Sequence, residues 1–253
     1  MEKVLNYENH IGKLLKMKIR TICFLSTILI AFNMASYGQK PVIPEGYTET
    51  TPPKVGSKEW YLLNHNLNEF QVKIVEDKVV IEKKVRPKCN LELPDGALIG
   101  IDKGEWGGEL KFVPTDTIKE TIKIKDGNIR FLFKFKEKIY FIEGLAHLGY
   151  SGGALFELDT SANNFSYKKR IDFDDAPEAF TIYRDKLLIV TFEGFCVVEN
   201  FEKEILFKDT FWSSLYPNSI AVFDEENVFV GIRGGIVKLD LTTKTFTFFM
   251  ADK

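Results

Sequence analysis

The residues best suited to chemistry are carboxylates and aromatic rings in irregular or acidic stretches of the sequence. Cleavage of a glycosidic bond needs two carboxyl groups about 5 to 9.5 Å apart, and sugar or peptide binding uses aromatic platforms with a few orienting polar groups. The sequence contains no H-E-x-x-H and no C-x-x-C pattern, and we assign no catalytic residue. The candidate binding residues are Asp102, Glu105, Trp106, His147, Tyr150, Asp174, Asp175, Glu193, Trp212 and Arg233.

Several of these residues also have a structural interpretation. Trp106 and Tyr150 precede glycine pairs at equivalent positions of a repeat, which is also expected of rings wedged between neighbouring sheets. Asp174 and Asp175 precede an Ala-Pro pair, where carboxylates commonly cap a turn. Both interpretations stay open from the sequence.

Two further interpretations concern charge and metals. Glu193 and Arg233 occupy equivalent corners of successive repeats, which predicts a structural salt bridge between them. His147 has no companion ligands nearby in the sequence, and His65 lies in a less regular region. We therefore predict no metal site and no cofactor.

A repeat of four short strands positions the candidate residues. Its best copy is Pro217–Met250, and three earlier copies span Asn90–Lys125, Asn128–Ile171 and Ala176–Phe207. The corner glycines Gly108, Gly153, Gly194 and Gly235 recur every 41 to 45 positions, within the period of propeller blades. In the best copy the second strand is apolar on consecutive positions, which indicates burial on both faces.

The stretches P-N-S-I-A-V, N-V-F-V-G and G-G-I-V-K-L-D of the last copy resemble the blade repeat of NHL, YVTN and WD-type β-propellers. No copy has the G-H and W-D pairs of true WD repeats. The resemblance implies radial four-stranded sheets around a channel, with first strands innermost, and it implies no activity.

The fold class predicted from these features is all-β, a β-propeller of about five four-stranded blades, of which the N-terminal one is degraded. That segment is predicted to contain strands at Glu59–Asn64, Glu69–Val75 and Lys78–Val85. A four-bladed ring with an N-terminal hairpin packed against it is the alternative. The Gly144–Gly153 segment is predicted to be a long loop.

Topology predicts which face carries the function. In an up-and-down sheet of four strands, the second turn and the link to the next sheet fall at the same end. These segments hold the unusual aromatics and carboxylates, whereas the first turns are short and merely hydrophilic. Ligand binding is therefore expected on the face built by second turns and links.

The N-terminus has the pattern of a secretory signal. Basic residues precede the apolar run Ile22–Phe32, and Ser36 and Gly38 suit cleavage before Gln39. The predicted organisation is a signal peptide over residues 1–38, a linker over 39–56 and a β-propeller domain over 57–253. Met17 is an alternative translation start, and with that start residues 1–16 are not part of the protein. We expect an exported protein that is periplasmic, secreted or held at the cell surface.

The net charge and the length of the apolar run argue against two classes of partner, nucleic acid and membrane. The net charge is −2, and without the signal segment the chain is more acidic, so nucleic acid is not an expected partner. An apolar run of about eleven residues is too short to span a bilayer, so no membrane insertion is expected after cleavage.

Cys89 and Cys196 fall on non-adjacent repeats, which predicts two free thiols with Cys196 in the core.

Three functions fit the sequence. The first is a non-catalytic binding module for a glycan or a peptide. The second is a carboxylate-based enzyme that cleaves a glycan. The third is a structural or interaction subunit of an exported assembly. The geometry of the loop residues distinguishes them, because facing carboxylates in a deep funnel favour the enzyme and an aromatic rim favours binding.

Overall fold

The computed structural model of the protein describes residues 41–84, 89–161 and 165–252. The predicted signal segment, residues 1–38, lies outside the described residues, and the described residues form one compact unit. The described part is all-β, with one short α-helix and every strand paired antiparallel.

The strands form five sheets, numbered here along the chain. Sheet 1 contains β2 (Phe70–Val75) and β3 (Lys78–Lys83). Sheet 2 contains β4 (Asn90–Leu93), β5 (Gly96–Asp102), β6 (Gly108–Pro114) and β7 (Ile122–Asp126). Sheet 3 contains β8 (Ile129–Phe135), β9 (Lys138–His147), β10 (Tyr150–Asp159) and β11 (Ser166–Phe173).

The last two sheets follow the same order. Sheet 4 contains β12 (Pro177–Tyr183), β13 (Lys186–Thr191), β14 (Phe195–Glu199) and β15 (Glu202–Phe207). Sheet 5 contains β16 (Ser219–Asp224), β17 (Asn227–Ile232), β18 (Gly235–Asp240), β19 (Thr245–Ala251) and, outside β19, the N-terminal strand β1 (Tyr47–Thr50). Each of the four sequence repeats thus forms one four-stranded antiparallel unit, as predicted.

The predicted strand at Glu59–Asn64 is wrong, because this segment is the α-helix α1 (Lys58–Asn64). The Ser57 side chain accepts a hydrogen bond from the Trp60 backbone N–H at 3.2 Å, which satisfies one of the unpaired donors of the first turn. Trp60 and Leu63, three positions apart, share the buried face of the helix. A seven-residue helix has too few turns to display this periodicity clearly in the sequence.

The predicted loop at Gly144–Gly153 is also wrong. Strand β9 continues to His147 and β10 begins at Tyr150, so the hairpin turns only at Leu148 and Gly149. Leu148 has a φ of 45° and a side chain that is 92% exposed. The two longest strands of the described chain therefore hold this hairpin tip rigidly at the end of sheet 3.

Four apolar clusters fill the spaces between sheets. One joins sheets 2 and 3, a second joins sheets 3 and 4, a third joins sheets 4 and 5 with α1, and a fourth joins sheets 5 and 1. The third is centred on β17, in which all six residues are buried, as its continuous apolar pattern predicts. The first strands β2, β8, β12 and β16, together with Cys89, line a cavity of about 560 Å³.

The same physical reason explains why glycine occupies all four corner positions. A Cβ at Gly108, Gly153, Gly194 or Gly235 would overlap a backbone carbonyl oxygen of the paired strand. Positive φ does not explain the requirement at Gly235, because the left-handed residue of that turn is Gly234, with a φ of 81°. The repeat therefore keeps glycine at this corner because two backbones approach closely.

The two thiols are free, as predicted, and Cys196 is buried in the core between sheets 3 and 4. Burial raises the pKa of both the Cys89 and the Cys196 thiol to about 12. Neither group is a thiolate near neutral pH, which makes both poor nucleophiles. Within the described ranges, no helix is long and apolar enough to cross a membrane.

Candidate functional site

Two β-bulges at the edge of the cavity place opposite charges face to face. The pairing of β8 with β9 shifts register between Ile129 and Phe131, and the pairing of β12 with β13 shifts between Pro177 and Ala179. The extra residues are Arg130 and Glu178. A bulge bends the strand locally and re-aims the extra side chain. Both charged groups lie at the start of a first strand.

Arg130 and Glu178 form a two-pronged ion pair. The guanidinium Nη1 and Nη2 each donate to one carboxylate oxygen at 2.8 Å, and Nε lies 3.6 Å from Asp102 Oδ2. Burial lowers the pKa of Arg130, but the Glu178 carboxylate outweighs that effect and raises it overall. Burial raises the pKa of the Glu178 carboxyl, and Arg130 opposes the rise. The pair joins sheets 3 and 4 at the cavity edge, with Asp102 of sheet 2 beside it.

A second charged group ties α1, sheet 1 and sheet 5 together. Glu69 accepts from Lys84 at 2.7 Å and from Arg233 at 2.8 Å, while Arg233 Nη1 donates to the Asn64 carbonyl at 2.6 Å. Burial acts to raise the pKa of Glu69, but the two cations lower it overall. The Arg233 guanidinium lies 4.0 Å from the centre of the Tyr216 ring. The predicted Glu193–Arg233 salt bridge is therefore wrong, because Glu69 is the partner of Arg233.

The rim of this face carries two exposed aromatic rings beside the paired side chains of His147 and Glu105. His147 Nε2 lies 2.8 Å from Glu105 Oε2, which links the Gly104–Trp106 3₁₀ turn to the β9–β10 hairpin. Trp106 follows Glu105 and is 81% exposed, and Tyr150 pairs with His147 across the hairpin and is 61% exposed. The wedge interpretation of Trp106 and Tyr150 is therefore wrong, since neither ring is packed between sheets.

Asp174 and Asp175 have different roles. Asp175 accepts from Ser151 Oγ, from the Ala176 backbone N–H at 2.9 Å and from the Glu193 backbone N–H at 2.8 Å, which is the capping role weighed from the sequence. Asp174 is exposed and pairs with Lys203 at 2.8 Å, and this cation lowers its pKa.

Glu193 lies in a smaller cavity of about 270 Å³ between sheet 4 and its flanking links. Burial, together with the Asp175 and Asp209 carboxylates, raises the pKa of Glu193. Within the described ranges, no group of three or more His, Cys, Asp and Glu residues is arranged to hold a metal ion.

Trp212 is not a platform. Its ring is fully buried among Phe207, Phe211 and Phe246, and its indole N–H has no hydrogen-bond partner. The link between sheets 4 and 5 folds inward and adds its apolar residues to the core. The sequence predicted Trp212 as a binding residue on the face built by second turns and links. That prediction is wrong, because tertiary packing decides whether a link residue is buried.

Gly149–Gly153 fits the spacing G-x-S-x-G of a hydrolase nucleophile. In a hydrolase this serine stands on a sharp turn between a strand and a helix, beside a histidine. Here Ser151 lies within β10, donates to Asp175 and accepts from the Ala176 backbone N–H at 2.9 Å, while His147 pairs with Glu105. Ser151 is therefore a structural link between sheets 3 and 4.

The site is thus an aromatic rim around a charged cavity edge. The structure brings together Asp102 with Arg130 and, beside them, Glu105 with His147. Asn128 fastens the two groups, because its side-chain amide donates to the Gly104 carbonyl at 2.8 Å. The part-buried pair of Arg130 and Glu178 was missed from the sequence, although each is the single charge among the first three residues of its first strand.

No protein-family model matches the chain, and its sequence matches none of the curated proteins compared with it.

Proposed function

We propose that the protein is an exported five-bladed β-propeller that binds a glycan or a peptide without catalysis. The order of packing supports the ring, because sheets 2, 3, 4, 5 and 1 are joined in succession by shared apolar clusters. The hairpin β2–β3 contributes a first strand to the central cavity, which favours a fifth blade over a separate appendage. Strand β1 on sheet 5 joins the N-terminal and C-terminal ends of the domain.

The observation that carries the binding proposal is the exposed pair of Trp106 and Tyr150. Tyr and Trp are enriched at interfaces, because the ring packs on the partner while its polar atom finds a hydrogen bond. Here the Glu105–His147 pair and the long β9–β10 hairpin hold both rings outward on supported backbone. A rigid platform loses little entropy when a ligand covers it.

Sugars and peptides suit this arrangement. The aromatic faces cover apolar C–H surface of the ligand, and the polar side chains of Asp102, Glu105 and His147 provide hydrogen bonds for its polar atoms. At the cavity edge behind them, the opposite charges of Arg130 and Glu178 already neutralise each other. A neutral or mixed-charge ligand therefore fits better than a polyanion.

The test uses a panel of defined oligosaccharides and peptides with calorimetric readout. For the ligands that bind, Trp106→Ala and Glu105→Gln are expected to weaken binding at least about tenfold, because a central aromatic contact is commonly worth more than about 1.4 kcal/mol. Glu137→Gln, at the opposite end of sheet 3, is the control and leaves binding unchanged. If Trp106→Ala and the original chain bind the ligand with equal affinity, the aromatic rim is not the binding site.

The glycan-cleaving enzyme has one observation in its favour. Glu193 has a raised pKa and lies beside Asp175, as the general acid of a glycosidase would. However, Asp175 is held by three hydrogen bonds and Asp174 by Lys203, so both neighbouring carboxylates already have structural partners. Product formation in the same oligosaccharide panel, abolished in Glu193→Gln, would identify the enzyme instead.

A further inference from the structure

Sheet 1 has only two strands where every other sheet has four or five. Its second strand, β3, pairs with β2 on one side. Among the residues that the structure describes, no strand pairs with the other side of β3. An unpaired strand edge is a template for another strand, and proteins generally cover or charge it.

The backbone N–H and C=O groups of successive β3 residues point alternately toward β2 and away from it. The Lys84 N–H donates to the Glu69 carbonyl at 2.9 Å, and the register pairs these two positions. Hydrogen-bonded and non-bonded pairs alternate along an antiparallel ladder, so the backbone groups of Lys78, Val80 and Glu82 face β2. Those of Val79 and Ile81 face outward.

The sequence of β3, Lys-Val-Val-Ile-Glu-Lys, is complementary to itself in one antiparallel register. With a twofold axis at Val80, Val79 of one copy is opposite Ile81 of the other, and these are the residues with outward backbone groups. Lys78 is then opposite Glu82, at a non-bonded position where side chains are closest. Each contact occurs twice because of the symmetry.

We propose that the protein forms a homodimer by antiparallel pairing of β3 with β3 of a second copy. Lys78 and Glu82 are both exposed and carry the charge complementarity, while Val79 and Ile81 provide the backbone hydrogen bonds. Glu82 also pairs with Lys73 of its own chain at 2.6 Å, so in the dimer its carboxylate lies between two lysines. Lysine on an edge strand usually opposes pairing, and in this register each Lys78 faces a carboxylate instead.

The proposed ring leaves room for this partner. In the proposed ring of five, adjacent blades diverge by about 72°, so neither neighbour extends past β3 in the direction of the pairing. The interface is small, since only about five residues of each copy pair, and small interfaces associate weakly. The dimer is therefore expected at concentrations between roughly 1 µM and 1 mM.

The test is sedimentation velocity on the purified full chain across that concentration range. The original chain is expected to change from monomer to dimer. Lys78→Glu and Glu82→Lys each place like charges opposite one another twice, and each alone is expected to raise the dimer Kd about tenfold or more. Lys168→Glu, an exposed change of the same charge on β11, is the control that leaves dimerisation unchanged.

The decisive sample is an equimolar mixture of the two charge variants. In the mixed dimer, both carboxylates of the Lys78→Glu copy face the two lysines of the Glu82→Lys copy, so dimerisation is restored to about the original Kd. This restoration separates a specific interface from a folding defect. A chain that stays monomeric over the whole range, or two variants that dimerise as the original does, would overturn the proposal.

Discussion

Arg130→Met is expected to lower the free energy of unfolding by about 3 to 5 kcal/mol at pH 7. The substitution removes the guanidinium that donates twice to Glu178 at 2.8 Å and leaves a carboxylate that is only 9% exposed without its partner. Chemical denaturation with a two-state fit measures the loss. Lys134→Met, an exposed position of the same strand, is the matched control with little effect.

The loss of stability in Arg130→Met depends on pH, and the pKa of the Glu178 carboxyl sets the direction of this dependence. Burial already raises the pKa of this carboxyl, and removal of Arg130 raises it further. In the window between the unfolded pKa and the raised folded pKa, the folded variant binds more protons, so its stability decreases as pH rises. The variant should therefore be closest to the original chain in mild acid. The double change Arg130→Met with Glu178→Met should recover most of the stability at pH 7, because no charge is then buried alone.

Gly153→Ala and Gly235→Ala are expected to cost about 3 kcal/mol each, near the upper end for overpacked sites. At both positions a Cβ would overlap a carbonyl oxygen of the paired strand, and at Gly235 it would also lie 2.8 Å from the Phe248 ring. Backbone in the middle of a sheet has little freedom to move away. Thermal unfolding followed by circular dichroism measures the effect.

Gly152→Ala is the control for the glycine prediction. It lies next to Gly153 in β10, but the nearest atom to its Cβ would be the Tyr150 hydroxyl at 3.0 Å, at the end of a side chain that is mostly exposed. This change should cost less than about 1 kcal/mol. Similar losses at Gly152 and Gly153 would show that the corner is not defined by close approach of the strands.

The repeat could be predicted because its signals are local and occur four times. Corner glycines at a regular interval mark the same close contact in each sheet, and the strands between them follow from their apolar patterns. The N-terminal segment has no second copy to correct an ambiguous pattern. The Trp-Tyr-Leu-Leu run of α1 therefore suggested a strand, although Ser57 is a good helix N-cap.

The candidate site was predicted less completely, for physical reasons that concern individual residues. Trp106 lies in the second turn of sheet 2 and Trp212 in the link between sheets 4 and 5, both predicted on the same face. Trp106 is 81% exposed and Trp212 is fully buried, because that link folds into the core between sheets 4 and 5. Arg130 and Glu178 meet only because each sits in a bulge. One extra residue in a ladder changes where a side chain points and leaves no pattern that a single sequence reveals.

Hydrogen exchange with mass spectrometry, using the tightest ligand from the panel, tests the central claim most directly. Binding at the aromatic rim predicts slower exchange in residues 102–107 and 144–151 when ligand is present. The turns at the opposite end, at residues 136–137, 184–185 and 225–226, should exchange at the same rate with and without ligand. Slower exchange confined to those turns, with none at the rim, would contradict the account.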